Sequence, residues 1–377
     1  MLIYLGLSAV VVFIAALVLL QSASLSPPAV AHLVLAVGIA PLILGAITHF
    51  MPVLTRSGSP RRGLSWAPLL LQCAGGTAFF GFTGAAPPLA MVVAAVVMLL
   101  VALLFAGWLM SRARRTLGSP HPGWRWYVAA IVCLSLAMAL VPAINGWPEM
   151  RRELRLLHLH LNTLGFIGLS ALGTLQVLLP TVLSGPDADA AARLRRDLPM
   201  AGGAVLGIAL GAAFAPALAI AGALMLLSVV LRTGVSWSRR YGWRTLLGDG
   251  AAAALLAALV GYSLLLVFGI AHAFGVVEGQ DAVPAFVVAF LMPLVTGALS
   301  QLLPVWRHPG RRTCARERML AELRRGGAAR SLLFVVSGTL LALGAHAGIW
   351  LAAAGMLFFV TALLGSLAVA RNDPGTS

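Results

Sequence analysis

Histidine is the residue whose type and placement in this sequence could support chemistry. Five of the eight histidines stand at the ends of apolar segments, at one predicted depth: His32, His158, His160, His272 and His346. Neutral imidazole is a good ligand for haem iron, copper and zinc. A haem takes one or two axial nitrogens, whereas a copper site takes two or three imidazoles. Histidines at a membrane surface can also simply hydrogen-bond to water, so the set alone leaves a metal site and a structural role both open.

The spacing of two of these histidines is shared. His32 lies twenty residues before Pro52, and His160 lies twenty residues before Pro180. At 1.5 Å per helical residue, each stands roughly 30 Å from its proline. His158 is two residues from His160, about 200° around a regular helix, so both can face one pocket only if the helix begins at His160.

Carboxylates and cysteines give less evidence for a functional site. Asp and Glu fall almost entirely in the loops between apolar segments, and no Asp, Glu or Lys is evident at mid-membrane depth. Intramembrane charges mark proton and ion paths, so their absence argues against a proton pump or a carrier coupled through a buried carboxylate. Cys73, Cys133 and Cys314 lie far apart and predict neither a disulfide framework nor a thiolate metal site.

The composition is that of a membrane protein. The 377 residues are 60% hydrophobic and only 10% charged, and the mean hydropathy is +0.97. Apolar runs of about eighteen residues or more recur along the chain, which excludes a soluble enzyme and a disordered chain. We therefore predict an all-α polytopic membrane protein whose main partner is the lipid bilayer.

Twelve apolar segments can be drawn as predicted transmembrane helices, of which two, 199–214 and 331–345, are short. They cover approximately residues 2–20, 30–54, 65–83, 88–110, 125–143, 156–181, 199–214, 217–234, 246–273, 284–305, 331–345 and 348–370.

The basic residues set the predicted orientation. All 26 are arginine, giving a net charge of +15, and they cluster in alternate loops. The positive-inside rule explains this pattern without a nucleic-acid partner and places both termini in the cytoplasm, here of a bacterial cytoplasmic membrane. The longest loop, 306–330, carries eight arginines, and Met319, Leu320 and Leu323 share a face that predicts a short surface helix.

An internal repeat links segments two, six and ten. Each carries a glycine seven residues before a proline, in LGAITHFMPV, LGTLQVLLPT and TGALSQLLPV. The glycine would allow close helix contact, and the proline would bend or end the helix. We therefore predict three pseudo-symmetric four-helix repeats, approximately 1–115, 116–240 and 241–377. The third copy has Pro284 where the others have histidine, so ligation cannot be threefold.

The stretch His158-Leu-His160-Leu-Asn162-Thr-Leu-Gly165-Phe166 resembles the HxHxxxxGF signature of the NnrS family, membrane proteins that contain haem and copper. The same helix is similar to the sixth helix of C-type haem–copper oxidase catalytic subunits, whose histidine binds copper. Residues 41–52 are similar to the second oxidase helix, whose outer histidine binds a haem; His32 is offset from that position by about two residues. These resemblances imply a fold of twelve helices with threefold pseudosymmetry.

The chain also departs from the oxidases. Residues 284–305 and 199–214 contain no histidine where an oxidase needs haem and copper ligands. The usual intramembrane Lys and Glu are missing as well. These departures argue against oxygen reduction and leave any enzymatic activity uncertain.

The leading hypothesis is a non-oxidase relative that binds haem or copper near the outer face, with a role in nitric-oxide or metal homeostasis implied by the NnrS resemblance. The expected principal ligands are His160 and His32, with His158 and His272 as helpers. A transporter of metal or small molecules on the same scaffold is one alternative. A degenerate relative kept as an assembly partner is another.

Overall fold

The computed structural model describes residues 1–22, 25–58, 62–279, 281–310 and 313–371, and every regular element in these ranges is a helix. Helices are expected of such an apolar chain, because a helix satisfies its own backbone hydrogen bonds where no water is present. The predicted all-α class is therefore confirmed. Three of the arginines that predict the membrane orientation lie outside the described residues: Arg61, Arg311 and Arg312.

The helices of eleven residues or more in the described ranges are α1 Leu2–Ser22, α2 Pro27–Leu54, α3 Ala67–Phe82, α4 Pro88–Arg114, α5 Gly123–Gly146, α6 Pro148–Val182, α7 Ala190–Phe214, α8 Pro216–Tyr241, α9 Gly250–Ala273, α10 Ala282–Arg307, α11 Cys314–Arg324, α12 Gly327–Ala342 and α13 Gly348–Arg371.

Ten of these helices, in the part of the chain that the structure describes, are long and apolar enough to cross a membrane. They are α1, α2, α4 to α10 and α13. The apolar helices α3 and α12 have 16 residues each and are shorter. The helix content is thus that of a multi-pass membrane protein.

One predicted boundary is wrong. The segment expected at 199–214 begins at Ala190 and forms the 25-residue helix α7. Arg193 and Asp197 lie inside this helix and not in a loop, and both are buried. Arg193 contacts Asp187 at 2.5 Å, and Asp197 contacts Arg196 at 2.9 Å, so paired charges extend the helix beyond its apolar part.

Three helices contain a π-helical segment. These segments are Leu33–Ile39 in α2, Leu161–Gly168 in α6 and Val287–Leu291 in α10. They end 13, 12 and 13 residues before Pro52, Pro180 and Pro304, respectively. The three helices are those that carry the predicted repeat, so a backbone feature recurs at the same place in each. π-helical turns are rare and frequently lie at functional sites.

The prolines stay within their helices and stand close to the end of each. The helices stop two residues after Pro52 and Pro180, at Leu54 and Val182, and three residues after Pro304. Four residues after the first two prolines, Arg56 and Ser184 adopt left-handed conformations, with φ of 46° and 51°. The N–H groups of the next residues then return to the carbonyls of Pro52 and Pro180, at 2.9 and 3.1 Å. This is the hydrogen bond that closes a Schellman-type helix end.

The helices form two compact units. The first comprises Ser8–Val177 and Asp187–Val229, and the second comprises Leu2–Leu7, Leu178–Pro186 and the described chain from Val230 onward. Glycines allow close helix approach in each. In the first unit a Cβ on Gly173 would lie 2.7 Å from the Trp126 Cβ, and in the second a Cβ on Gly297 would lie 2.8 Å from the Ala254 Cβ. The close contact predicted for these two repeat glycines is therefore confirmed.

The surface helix predicted within 306–330 is α11. Met319 and Leu323 on its apolar face are fully buried within the second unit, and Leu320 is half-buried. The apolar face of α11 therefore covers protein, whereas an interfacial membrane helix would turn it toward lipid.

Candidate functional site

The histidine rings of His32 and His158 lie side by side in the first unit. Their centroids are 6.4 Å apart and their planes are 19° from parallel. His32 stands directly before the π-helical segment of α2, and His158 stands three residues before that of α6. Both side chains are half-buried. Two residues 126 positions apart in sequence are thus brought together where two helices change their winding.

Each ring has its Nδ1 against a backbone carbonyl. The distance is 2.7 Å from His32 Nδ1 to the Pro28 oxygen and 2.9 Å from His158 Nδ1 to the Ala137 oxygen. A carbonyl oxygen only accepts hydrogen bonds, so Nδ1 must carry the proton in both rings. In the neutral imidazole the lone pair is then on Nε2, which is the arrangement found in metal-ligating histidines.

Gly165 positions His158. It lies seven residues after His158, two turns along α6, where α6 packs against α5. A Cβ on Gly165 would lie 2.7 Å from the Cys133 Cβ and 2.8 Å from its Sγ, so only glycine lets the helices approach this closely. Ala137, one turn from Cys133 on α5, is then near enough to accept the His158 hydrogen bond.

His32 is positioned in a similar way by α3. A Cβ on Gly75 would clash with the carbonyl of Ala36, inside the π-helical segment of α2. Phe82, two turns beyond Gly75 on α3, places its ring 4.5 Å from that of His32. The aromatic contact restricts the His32 ring to the orientation that its Pro28 hydrogen bond requires.

In the other two predicted ligands, Nδ1 also lies against a backbone carbonyl oxygen. His160 Nδ1 lies 2.8 Å from the Leu156 oxygen, and His272 Nδ1 lies 2.8 Å from the Val277 oxygen. His160 is half-buried in the first unit, whereas His272 is exposed and belongs to the second unit. Helix α6 is continuous through His158 and His160, so the special case of a helix that begins at His160 does not apply.

In the described residues, no three His, Cys, Asp or Glu side chains form a group able to hold a metal ion. The structure brings the His32 ring close to the His158 ring. The ligand roles of all four histidines stay predictions. His158 and His160 lie about 200° apart around α6, so the rotation of this helix decides which of them faces His32. The sequence motif contains both histidines and does not decide between them.

The four remaining histidines differ in burial. His49 and His346 are exposed. His121 and His308, expected to be solvated in loops, are instead half-buried. The backbone N–H of His121 donates to the Leu54 oxygen at 3.0 Å, so the loop before α5 is fixed to the end of α2. Burial, together with the positive charge of Arg195, lowers the pKa of His121 below 6.5.

A buried polar cluster, missed by the sequence reasoning, lies at the start of α7. Arg193 donates through Nε to Gln176 at 3.2 Å and through Nη2 to Asp187 at 2.5 Å. The Arg193 and Asp187 side chains are only 6% and 1% exposed. A fully paired buried arginine of this kind fixes the ends of two helices and leaves no charge unbalanced.

The donor set at His32 and His158 fits a two-imidazole site. Two imidazoles that bind one ion at about 2.0–2.1 Å per nitrogen have ring centroids roughly 5 to 6.5 Å apart. The observed 6.4 Å lies at the wide end of this range. Imidazole nitrogens are among the ligands of haem iron and of copper, whereas two imidazoles alone would be too few ligands for a tetrahedral zinc site.

Comparison with known proteins gives no family for the chain. No protein-family model matches it, and no curated protein matches it either.

Proposed function

We propose that this chain is an integral membrane protein that binds haem or copper, and that His32 and His158 hold the metal. The single observation that carries the proposal is their juxtaposition, with both Nδ1–H groups fixed by carbonyls and the rings 6.4 Å apart. Histidines that only satisfy their own polar atoms have no need to meet across two helices. His160 and His272 are secondary candidates in this proposal.

The proposed architecture has twelve membrane spans in three repeats of four helices. The three π-helical segments, each 12 or 13 residues before a repeat proline, support the repeat. The left-handed residues after Pro52 and Pro180 support it further, although the third copy has His308 at that place with a φ of −125°. Helices α3 and α12 would then be short spans, which a bilayer accommodates by local thinning.

The arginine distribution supports a bacterial cytoplasmic membrane with both termini in the cytoplasm. In that orientation His32 and His158 lie toward the outer face. A small molecule could therefore reach the metal from the periplasmic side without crossing the membrane.

Copper held by the two imidazoles would supply open coordination positions for a small molecule or a site for metal exchange, whereas haem iron held by both would supply electron-transfer chemistry. The chain's own contribution is to fix both imidazoles in one tautomer and to keep their Nε2 atoms in a half-buried, apolar place. A role in nitric-oxide or metal homeostasis follows from the NnrS resemblance. Terminal oxidase activity is not proposed, because the sequence lacks the histidines that an oxidase carries on its seventh and tenth helices.

The test is an absorbance spectrum with iron and copper analysis of the purified protein. We expect a Soret band or about one copper per chain in the wild type, lost in both His32→Ala and His158→Ala. His346→Ala is the matched control, since His346 is an exposed histidine in the turn between α12 and α13. His160→Ala separates the two histidines of the motif and should retain most of the metal.

Wild-type protein with neither a Soret band nor stoichiometric iron or copper, after expression with haem precursor and copper, would refute the proposal. Metal lost in His160→Ala but kept in His158→Ala would move the ligand role to His160.

A further inference from the structure

A second site is indicated in the second unit by an arginine without a counter-charge. Arg330 lies in the first turn of α12 and is 0% exposed. Its Nη2 donates to the Ser300 hydroxyl and to the Leu323 carbonyl, both at 3.2 Å. Among the residues that the structure describes, its buried Nε and Nη1 find no hydrogen-bond partner. A guanidinium stays charged in proteins, so a buried cation is left with several unused donors.

The surroundings of Arg330 add positive electrostatic potential and, in the described residues, supply no carboxylate partner. The N-terminus of α12 carries the positive end of the helix dipole, which favours a nearby anion and disfavours a cation. The aromatic ring of Phe359, 5.1 Å from the guanidinium carbon, gives partial compensation. A ring face cannot accept the in-plane N–H groups of the guanidinium, so the unused donors remain.

The Asp249 carboxylate of this region is already engaged. Asp249 accepts from the backbone N–H groups of Ala251 and Ala252 through Oδ1, and from Arg324 Nη1 at 2.6 Å through Oδ2. Glu322 lies beside Gly365 of α13. Neither forms an ion pair with Arg330.

Arg324 contributes a further unused donor. Its Nη atoms bind Asp249, Gln301 and the Val182 carbonyl, whereas its buried Nε has no partner in the described part of the chain. Arg324 and Arg330 contact neighbouring residues of α10, Gln301 and Ser300. Two arginines and one aspartate leave this cluster with one excess positive charge, and three guanidinium nitrogens lack acceptors.

The first unit shows how a buried arginine is compensated when its partners are all protein groups. Arg193 is buried to a similar degree, yet it has the Asp187 carboxylate and the Gln176 amide as acceptors. Arg330 has no equivalent acid, so its missing partner is expected from outside the chain.

We propose that Arg330, with Arg324, binds a phosphate-type oxyanion at the α11–α12 junction. Arginine forks match phosphate oxygens in geometry and charge, and a helix N-terminus adds to the same potential. The phosphate can belong to the headgroup of an anionic phospholipid or be free inorganic phosphate. Because Arg330 is fully buried and donates to the Leu323 carbonyl in the last turn of α11, the anion should exchange slowly and copurify with the protein.

The experiment measures phosphorus in protein purified in a phosphate-free detergent buffer. The wild type should hold about one phosphorus atom per chain, and lipid extraction assigns it to the organic or the aqueous phase. Arg330→Met removes the charge and keeps the apolar stem, and it should lose the phosphorus. Arg325→Met is the matched control, because Arg325 is exposed and lies in the same junction; it should keep the phosphorus.

Thermal unfolding gives a second readout. A ligand that binds the folded state raises the Tm. Phosphatidylglycerol or inorganic phosphate, whichever is the occupant, should raise the Tm of stripped wild type and Arg325→Met, but not that of Arg330→Met. Phosphatidylcholine is the reference lipid. If Arg330→Met does not fold, Arg330→Lys, which retains charge with fewer donors, should show a smaller rise.

Equal phosphorus loss in both methionine variants would indicate general surface electrostatics and overturn the proposal. Wild type without phosphorus and without a Tm response would also overturn it. So would an Arg330→Met variant that is more stable than wild type in every lipid, since a bare buried cation behaves in that way. The metal content of the His32–His158 site is a separate measurement and is unaffected by any of these results.

Discussion

At the scale of single residues, hydrogen bonds to the backbone decide what the histidines can do. His32 and His158 each give the Nδ1 proton to a carbonyl, so both present Nε2 toward any ligand. A carboxylate at the same place would bring a charge that lipid and apolar side chains cannot solvate. A neutral imidazole gives ligand strength without this cost, which is why histidine suits the site that we propose.

His121 offers a residue-scale test of burial by pH. Its pKa is lowered below 6.5, first by burial and then by Arg195. The folded protein therefore binds this proton less readily than the unfolded chain does. The contribution of neutral His121 to the free energy of unfolding is therefore fully present above about pH 6.5. It is lost as the pH falls below this value toward the lowered pKa of the folded state.

We expect the Tm to fall less between pH 7.5 and pH 5.5 in His121→Gln than in wild type. His346→Gln, which replaces an exposed histidine, should follow the wild type. Parallel wild-type and His121→Gln curves over this interval would show that His121 is solvated after all.

At the scale of helices, glycines and π-helical turns set the geometry that the histidines use. Gly165 and Gly75 bring α5 and α3 against the π-helical segments of α6 and α2. A glycine in the HxHxxxxGF motif therefore has a packing reason, which is contact with Cys133.

Gly165→Ala should disturb this packing. The added methyl would overlap the Cys133 side chain, and overpacking of this kind costs about 1–3 kcal/mol of folding stability. The Tm of the variant should fall, and its metal content should fall with it, because His158 moves relative to Ala137. Gly202→Ala is the control: nothing lies within 4 Å of a Cβ there, so the substitution should be neutral or stabilising by up to about 1 kcal/mol.

Cys133→Gly combined with Gly165→Ala exchanges the small residue between the two helices. This double variant should recover part of the lost stability. If Gly165→Ala unfolds at the wild-type Tm, the close contact of α5 and α6 does not control this region.

The sequence predicts helices better than it predicts their winding. Each of the twelve apolar segments falls on a helix of the structure, because apolar length alone is enough to indicate one. The start of α7 was missed because Arg193 and Asp197 are charged, and their partners Asp187 and Arg196 could not be known as partners from the sequence. The π-helical segments have no composition signal, yet they help to decide that His158 faces His32.

At the scale of the whole molecule, the arginines have two predicted roles. Those in loops predict the membrane orientation, and two buried ones differ in their pairing: Arg193 is paired with Asp187, and we propose that Arg330 binds an anion. The prediction that both termini lie in the cytoplasm rests on the loop arginines alone. It can be tested independently of any metal or lipid.

Cys314 provides that test, since it is an exposed native cysteine at the start of α11, in the predicted cytoplasmic loop 306–330. In a Cys73→Ala, Cys133→Ala background, a membrane-impermeant maleimide should not label Cys314 in intact spheroplasts and should label it after permeabilisation. The control replaces Cys314 by alanine and introduces Ala85→Cys, an exposed position in the predicted outer loop before α4, which should be labelled in intact spheroplasts. The two positions are separated by the seven candidate spans α4 to α10, an odd number whether or not the short helices α3 and α12 cross the membrane. Labelling of Cys314 but not of Ala85→Cys in intact spheroplasts would reverse the predicted orientation. Equal accessibility of both positions would contradict the proposed number of spans between them.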